Sequence, residues 1–386
     1  MNNWSEKRLG EVCTLQRGFD LPTRHRETGN YPLISSSGFI DTLSEAKVSG
    51  PGVVTGRSGS IGSVFFIDRD FWPLNTTLYV KDFHGNDPRF IFHLLRKFDL
   101  KRFASGSGVP TLNRNSVHSE LVYVPSNVSE QKRIVAILDE AFEGIDRAIA
   151  NTEKNLANSR ELFESYLNAI FTQKGNGWVE KKLQDTCIVE RGSSPRPIQQ
   201  FLTNSSDGVN WIKIGDTKGI NKYIYSTNQK ITKEGAKQSR RVEPGDFILT
   251  NSMSYGKPYI MATEGYIHDG WFILRLAENI DTDFFYYLLA SNLVQQQFKL
   301  LAAGSVVKNI SSELVKRAVL PIPPICQQKA MVKVIENLAS ETKRLETIYR
   351  QKIAALKDLK QSILQKAFTG ELTADTPKTV KEELAA

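Results

Sequence analysis

Two sets of short loops carry the side chains with chemistry to offer. In the amino-terminal half they are Arg24-His-Arg26, Gly56-Arg57-Ser58-Gly59-Ser60 and Asn113-Arg114-Asn115. In the carboxy-terminal half they are Arg191-Gly-Ser-Ser-Pro-Arg196, Lys213, Asn251-Ser-Met-Ser-Tyr255-Gly-Lys257 and Lys308-Asn309. Arg, Lys, Asn and Ser are the side chains that hold phosphates or read base edges bidentately in the major groove. Glycine beside them lets the backbone come close to a ligand. Taken singly, each loop is equally well an ordinary hairpin turn with solvated charges. As a set they say more, because they occur at corresponding places in both halves while their side chains differ. Arg57 becomes Asn251, and Arg114 becomes Ser311 or Ser312. The candidate nucleic-acid contacts are thus Arg24, Arg26, Arg57, Ser58, Ser60, Asn113, Arg114, Arg196, Lys213, Asn251, Tyr255, Lys257, Lys308 and Asn309.

A duplicated enzyme would show a duplicated reactive constellation, and none is present. His25, His84, His93, His118 and His268 do not align between the halves, so each reads as structural or surface, with neither a triad nor a metal site. Gly56-Arg-Ser-Gly-Ser-Ile-Gly62 has no Gly-Lys-Ser/Thr and fails as a P-loop, and the strand after it argues against a dinucleotide turn. The Asn-Pro-Pro-Tyr type of element expected of an amino-methyltransferase is missing. Glu180-Lys-Lys182 resembles the tail of a nuclease motif, but no Pro-Asp dipeptide precedes it. Catalysis by this chain is not expected.

The 386 residues carry a net charge of +8 and a pI near 9.2 while remaining 40% hydrophobic. That combination means two or three folded domains with a basic surface, for which a polyanion is the natural partner. Cys13, Cys187 and Cys326 form no C-x-x-C pair, and each is expected to be a small buried hydrophobe in a reducing compartment. The start lacks an apolar signal region and no run of 18 apolar residues occurs, so a soluble, cytoplasmic or nuclear protein without membrane contact is expected.

What positions the loops is an internal duplication. Trp4, Leu9, Cys13, Arg17 and Gly18 reappear as Trp178, Leu183, Cys187, Arg191 and Gly192, a constant offset of 174. Val53, Ser58, Ser60, Gly62, Asn75 and Phe90 correspond to Phe247, Ser252, Ser254, Gly256, Asp269 and Phe284 at an offset of 194. The second globular segment therefore has 20 extra residues between Gly192 and Phe247. Two long helices follow the same rule at an offset of 197, from Gln131 to Gln328 and from Phe171 to Phe368. Apolar residues at 134, 138, 142, 145, 149, 156, 163, 167 and 170 form a narrow seam that a lone helix cannot bury, and the second helix supplies the partner. At ~1.5 Å per residue, roughly 44 residues make a rod about 65 Å long. The expected organisation is a globular segment over 1–127, a helix over 128–175, a second globular segment over 176–323, a helix over 324–370 and a polar tail over 371–386.

With these elements in order, the chain resembles the specificity subunit of type I restriction–modification systems over essentially its whole length. The carriers are Trp-x4-Leu near each segment start, Arg191-Gly-Ser-Ser-Pro-Arg-Pro197, Trp211-Ile-Lys-Ile-Gly-Asp216, Val242-Glu-Pro-Gly-Asp246, Pro-x5-Gln-Lys opening a helix, and Ser362-Ile-Leu-Gln-Lys-Ala-Phe-Thr-Gly370. Each is short, and their order and duplication make the match. The first segment departs from the pattern, with Gly18-Phe-Asp-Leu-Pro22 where the second has Ser-Ser-Pro-Arg-Pro. The resemblance implies an α+β fold of two mixed α/β target-recognition domains, with the long helices packed as an antiparallel coiled coil about an internal pseudo-twofold. It implies a non-catalytic chain that directs two methyltransferase subunits and translocating endonuclease subunits to a bipartite site on double-stranded DNA. S-adenosylmethionine, ATP and magnesium then belong to those partners, and this chain binds no cofactor. Two other readings stay open: the specificity module of a combined nuclease–methyltransferase with a catalytic role, and a coiled-coil scaffold without DNA contact.

Overall fold

The computed structural model describes residues 4–106, 110–251, 256–303 and 311–373. The chain divides into two compact units, Met1–Glu153 with Arg350–Ala386, and Lys154–Tyr349. Each unit takes in part of both long helices. The seam of each helix is buried against a globular part as well as against the other helix.

In the first unit, strand Trp4–Arg8 pairs antiparallel with Leu121–Pro125, so the start of the globular part is tied to its end. The central sheet is Thr14–Arg17, Thr77–Asp82, Gly52–Gly56 and Val64–Ile67 in that order, all antiparallel. A smaller sheet joins Gly38–Leu43, Tyr31–Ser35 and Trp72–Pro73, the last pair running parallel. Helix Pro88–Lys97 starts where it does because the Asp87 carboxylate accepts the N–H groups of Arg89 and Phe90 and proline occupies the first helical position. Its Phe90, Ile91, Leu94 and Leu95 are buried, the spacing of one helical face.

That face meets Ile134, Leu138, Phe142 and Ile145 of the first long helix (Val128–Thr172), Leu364 and Ala367 of the second (Ile325–Ala367), and Phe368 just past its end. The Phe90 and Phe368 rings lie 5.2 Å apart. Burying each such side chain is worth ~1.5–3 kcal/mol, so the two helices and the globular part share one core. Lys360 Nζ lies 2.6 Å from both carboxylate oxygens of Asp146, and Arg133 Nη1 donates to the Thr373 carbonyl at 3.5 Å. As one helix advances the other retreats, which is antiparallel pairing.

The second unit is built on the same plan. Val179–Lys182 pairs with Val319–Ile322, and the central sheet runs Cys187–Arg191, Trp271–Leu276, Phe247–Thr250, Pro258–Met261 and Tyr223–Ile224. Phe284 stands 5.7 Å from Phe171, the equivalent of the Phe90–Phe368 pair. Arg160 makes a two-pronged bond to Glu346, Nε to Oε1 at 2.6 Å and Nη2 to Oε2 at 3.2 Å, while Leu167 and Phe171 share a core with Val332 and Ile335. The pairing is antiparallel here too.

The extra residues between Gly192 and Phe247 have gone into the sheets. The smaller sheet grows to five strands, Leu202–Thr203, Gln229–Ile231, Val209–Ile212, Gly265–Ile267 and Arg240–Val242. The central sheet gains Tyr223–Ile224 along Pro258–Met261. Lys222, just before that strand, lies 2.6 Å from Asp283 and 3.8 Å from Glu336, with the rings of Tyr223, Tyr286 and Tyr287 around its ammonium group. One lysine thus ties the insertion to the second long helix.

The repeated Trp-x4-Leu-x3-Cys pattern is core and not chemistry. Leu9, Cys13, Leu183 and Cys187 are buried, and burial pushes both thiols up to about 12. Cys326 corrects the expectation for the third cysteine: it is exposed, because it sits in the first turn of the second long helix on the side away from the seam. Both long helices also stop earlier than 175 and 370, at Thr172 and Ala367. Among the described residues, no helix is long and apolar enough to cross a membrane.

Candidate nucleic-acid interface

In the first unit the hairpin after Gly52–Gly56 carries Arg57 and folds against the segment that carries Arg114. The backbone N–H of Leu112 donates to the Arg57 carbonyl at 2.7 Å, and Ser58 bridges to Thr111. Gly56 must be glycine, since a Cβ there would run into the Ser60 carbonyl, and Gly62 takes a positive φ to turn the chain. The result is an open cavity of about 450 Å³ lined by Arg17, Arg57, Asn113, Arg114 and Asn115, with Ser105, Thr111, Leu78 and Leu112 completing it. Arg57, Asn113 and Arg114 were expected contacts; Arg17 and Asn115 were not among them.

The cavity's charges are held differently. Arg57 Nη1 donates to the Asn75 carbonyl at 3.4 Å. Arg17 Nη2 donates to Asp20 at 3.3 Å, and Asn75 Nδ2 donates to the same carboxylate. Arg17 is brought there by Gly18, where a Cβ would strike the carbonyls of Pro73 and Leu74. Asn113 Oδ1 accepts the Asn115 N–H and so caps helix Arg114–His118, leaving the Arg114 side chain exposed at the rim. Ser58 joins through its backbone bridge to Thr111, and Ser60 is exposed at the hairpin tip without lining the cavity. Arg24 lies in a separate turn, Thr23–His25, and Arg26, which follows it, donates from Nη2 to the Leu21 carbonyl at 3.4 Å. Neither lines the cavity.

The equivalent place in the second unit has the same frame and a different charge layout. Gly192 is again forced by a carbonyl, that of His268. Asn251, standing where Arg57 stands, is buried, and its Nδ2 donates to the Asp269 carbonyl at 2.7 Å as Arg57 does to that of Asn75. Its amide is committed inside the fold. Ser194 Oγ donates to Asp269 Oδ1 at 2.9 Å, Arg196 Nη2 stands 3.3 Å from Oδ2, and Arg191 Nε donates to the Asp269 carbonyl at 3.4 Å. Burial pulls the Asp269 carboxyl up, but the Ser194 hydroxyl, its own backbone N–H and the neighbouring cations outweigh that and hold it below the usual range. Lys257 lies 5.1 Å over the Tyr259 ring, and Lys213 begins the turn Ile214–Thr217. Tyr255, Lys308 and Asn309 lie outside the described residues.

A second open cavity, about 460 Å³, lies on the enlarged sheet between Asn210, Lys230, Arg241, Glu264 and Tyr266. Asn210, Lys230 and Arg241 sit in the enlarged stretch between Gly192 and Phe247, whose extra residues the repeat could not point to, while Glu264 and Tyr266 follow it at the places of Asp70 and Trp72. Asp20, Asn75, Ser194 and Asp269 had a signal: Asn75 and Asp269 correspond in the two halves, and so do Asp20 and Ser194.

The family model for the type I restriction modification DNA specificity domain matches residues 1–157 and again 175–355. The chain belongs to this family. The specificity domain thus occurs twice, once for each half of the duplication. The chain is 21% identical to the type I restriction enzyme EcoDI specificity subunit of Escherichia coli, over 96% of this chain and 89% of that protein. It is 25% identical to the EcoBI specificity subunit of the same organism, over 74% of this chain and 66% of that one. Among solved structures, the fold is similar to the HsdS subunit from Thermoanaerobacter tengcongensis, with a TM-score of 0.61, 19% identity and coverage of 96% and 97%. It is also similar to a chain from work on complex assembly and conformational transition of the type I R-M system, with a TM-score of 0.77, 18% identity and coverage of 96% and 99%. Each specificity domain corresponds to one sheet pair and one of the polar loop clusters described above.

Proposed function

We propose that this chain is the target-recognition subunit of a type I restriction–modification enzyme and that each specificity domain binds one half of a bipartite site on double-stranded DNA. The observation that carries this reading is the repeat itself: one frame, built twice, with Arg57 and Asn75 exchanged for Asn251 and Asp269 at the same contacts. Two frames with different donors suit two different half-sites. The net charge of +8 supplies the attraction to phosphates.

In this reading the chain catalyses nothing itself. S-adenosylmethionine, ATP and magnesium act on the methyltransferase and endonuclease subunits it directs. An apolar groove on the helix pair of the second unit, formed by Leu162, Tyr166, Val334 and Leu338, supports docking of such a partner, since Leu162 is 66% and Val334 46% exposed. Leu359, the equivalent of Leu162 in the other helix, is also exposed, as two identical partners on one chain require.

Assembled with a methyltransferase subunit and S-adenosylmethionine, the chain should support methylation at one bipartite sequence, and alone it should support none. DNA affinity should fall steeply with salt, as phosphate neutralisation demands. Methylation by the isolated chain would favour the combined nuclease–methyltransferase reading; DNA affinity indifferent to salt would favour a protein scaffold.

A further inference from the structure

We propose that the first recognition unit reads guanine in its half-site, through the forked guanidiniums of Arg57 and Arg114. The inference rests on the DNA-recognition function proposed above and adds which base that unit selects.

The argument starts from what the cavity offers. Arg17, Arg57 and Arg114 line one space of about 450 Å³. Arg17 is occupied by the Asp20 carboxylate. Arg57 and Arg114 make no ion pair among the described residues, so their forks are not neutralised. Arg57 is steadied by one bond from Nη1 to the Asn75 carbonyl, which leaves the rest of its fork for a ligand. The two arginines are held in mutual register by the Leu112-to-Arg57 backbone bond and the Ser58–Thr111 bridge. They do not depend on a free-swinging loop.

A guanidinium fork donates twice and accepts nothing. In the major groove guanine alone presents two adjacent acceptors, O6 and N7, and Arg to that pair is the commonest specific contact. Adenine and cytosine put an amino donor toward the groove and ask for an acceptor. The Asp20 carboxylate, beside the cavity's Arg17, already accepts from Arg17 and Asn75. Asn113 Oδ1 is spent on its helix cap, which leaves the Asn115 amide against two guanidinium forks. The second unit differs at the same positions. Asn251 is buried, and the carboxylate has moved across the contact to Asp269, whose side chain is 43% exposed. The guanine requirement therefore belongs to the first half-site and not, through these positions, to the second.

A phosphate would also attract two arginines, and the test separates the two. The chain assembled with its methyltransferase subunits is used to select duplexes from a randomised pool, as wild type, Arg57→Lys, Arg57→Ala and Arg114→Lys. Lysine keeps the charge and loses the fork. The expected result is a half-site with fixed guanine that loses its guanine preference about tenfold to a hundredfold in the lysine variants, with the other half-site unchanged. Arg114→Lys, at an exposed rim position, keeps the test decisive where Arg57→Ala fails to fold. Lysine variants that keep the consensus, with Arg57→Ala weakening all duplexes alike and flattening the salt dependence, would assign the arginines to phosphate and overturn the proposal. A sharp consensus without guanine in either half-site would overturn it while leaving the recognition function standing. If the wild type enriches nothing, both fall together.

Discussion

Ser194 donates its hydroxyl to the Asp269 carboxylate at 2.9 Å, and the equivalent contact in the first unit is reversed, with Asn75 donating to Asp20. One carboxylate is kept at this crossing and only one, on opposite sides of it in the two units. Asn75→Asp alone sets two carboxylates against each other beside Arg17 and should destabilise the first unit by ~1–3 kcal/mol. Adding Asp20→Ser rebuilds the second unit's arrangement and should recover most of the loss. Urea unfolding of the two single variants and the double variant gives the coupling; purely additive effects would show that the crossing is not a pair.

A buried glutamine latches each globular part to a long helix. Gln131 Oε1 accepts the Asp87 N–H at 2.8 Å and its Nε2 donates to Asn86 Oδ1 at 2.7 Å; Gln328 Oε1 accepts the Asp281 N–H at 2.8 Å and its Nε2 donates to the Pro323 carbonyl at 2.8 Å. Both side chains are 1% exposed. Gln131→Leu and Gln328→Leu strand a buried N–H and should each cost ~1–3 kcal/mol. Hydrogen exchange should localise the loss to the unit that carries the change.

Acid should act on the first unit through His93. The ring is buried, its Nε2 lies 2.8 Å from Asp139 Oδ1, and Nδ1 has no partner among the described residues. Burial lowers its pKa from 6.5 to about 4, overcoming the Asp139 bond and charge and aided by Arg96 and Arg89. A lowered native pKa means the folded state binds the proton more weakly than the unfolded chain. Its stabilising effect is full above about pH 6.5 and is lost as pH falls through about 4, on the order of 3 kcal/mol. His93→Gln should flatten the decline of the urea midpoint over that window. An unchanged slope would assign the acid sensitivity elsewhere.

If the two helices set the distance between half-sites, length should change the spacer alone. Seven residues inserted after Glu153 and seven after Tyr349 preserve the helical seam. They add about 10 Å, or roughly three base pairs. Mapping of methylated bases should show both half-sites intact with a longer gap. A changed half-site would sink the ruler idea.

Much of this was legible in the residues. The offsets of 174, 194 and 197 gave two copies of one fold, because buried positions such as Leu9 and Leu183, or Phe90 and Phe284, answer to packing that recurs with the frame. The two long helices end about a turn short of 175 and 370, since fraying and capping are set by contacts the pattern does not record. Of the loops, the sequence named Arg57, Asn113 and Arg114 as contacts, and they share a cavity; it could not see that Asn251 turns inward.

The sequence by itself determined the duplication, the paired helices and the family, all of which rest on periodic burial and on residue types that persist at fixed spacing. Only the tertiary structure decided which polar side chains are free to act. Arg17 and Arg57 are neighbours in the cavity although 40 positions separate them, and one is occupied by a carboxylate while the other is not. Arg17 finds its carboxylate three residues away at Asp20, but Arg57 is held by the carbonyl of Asn75, and Asp20 meets Asn75 across 55 positions of sequence, a contact that leaves no mark on local spacing.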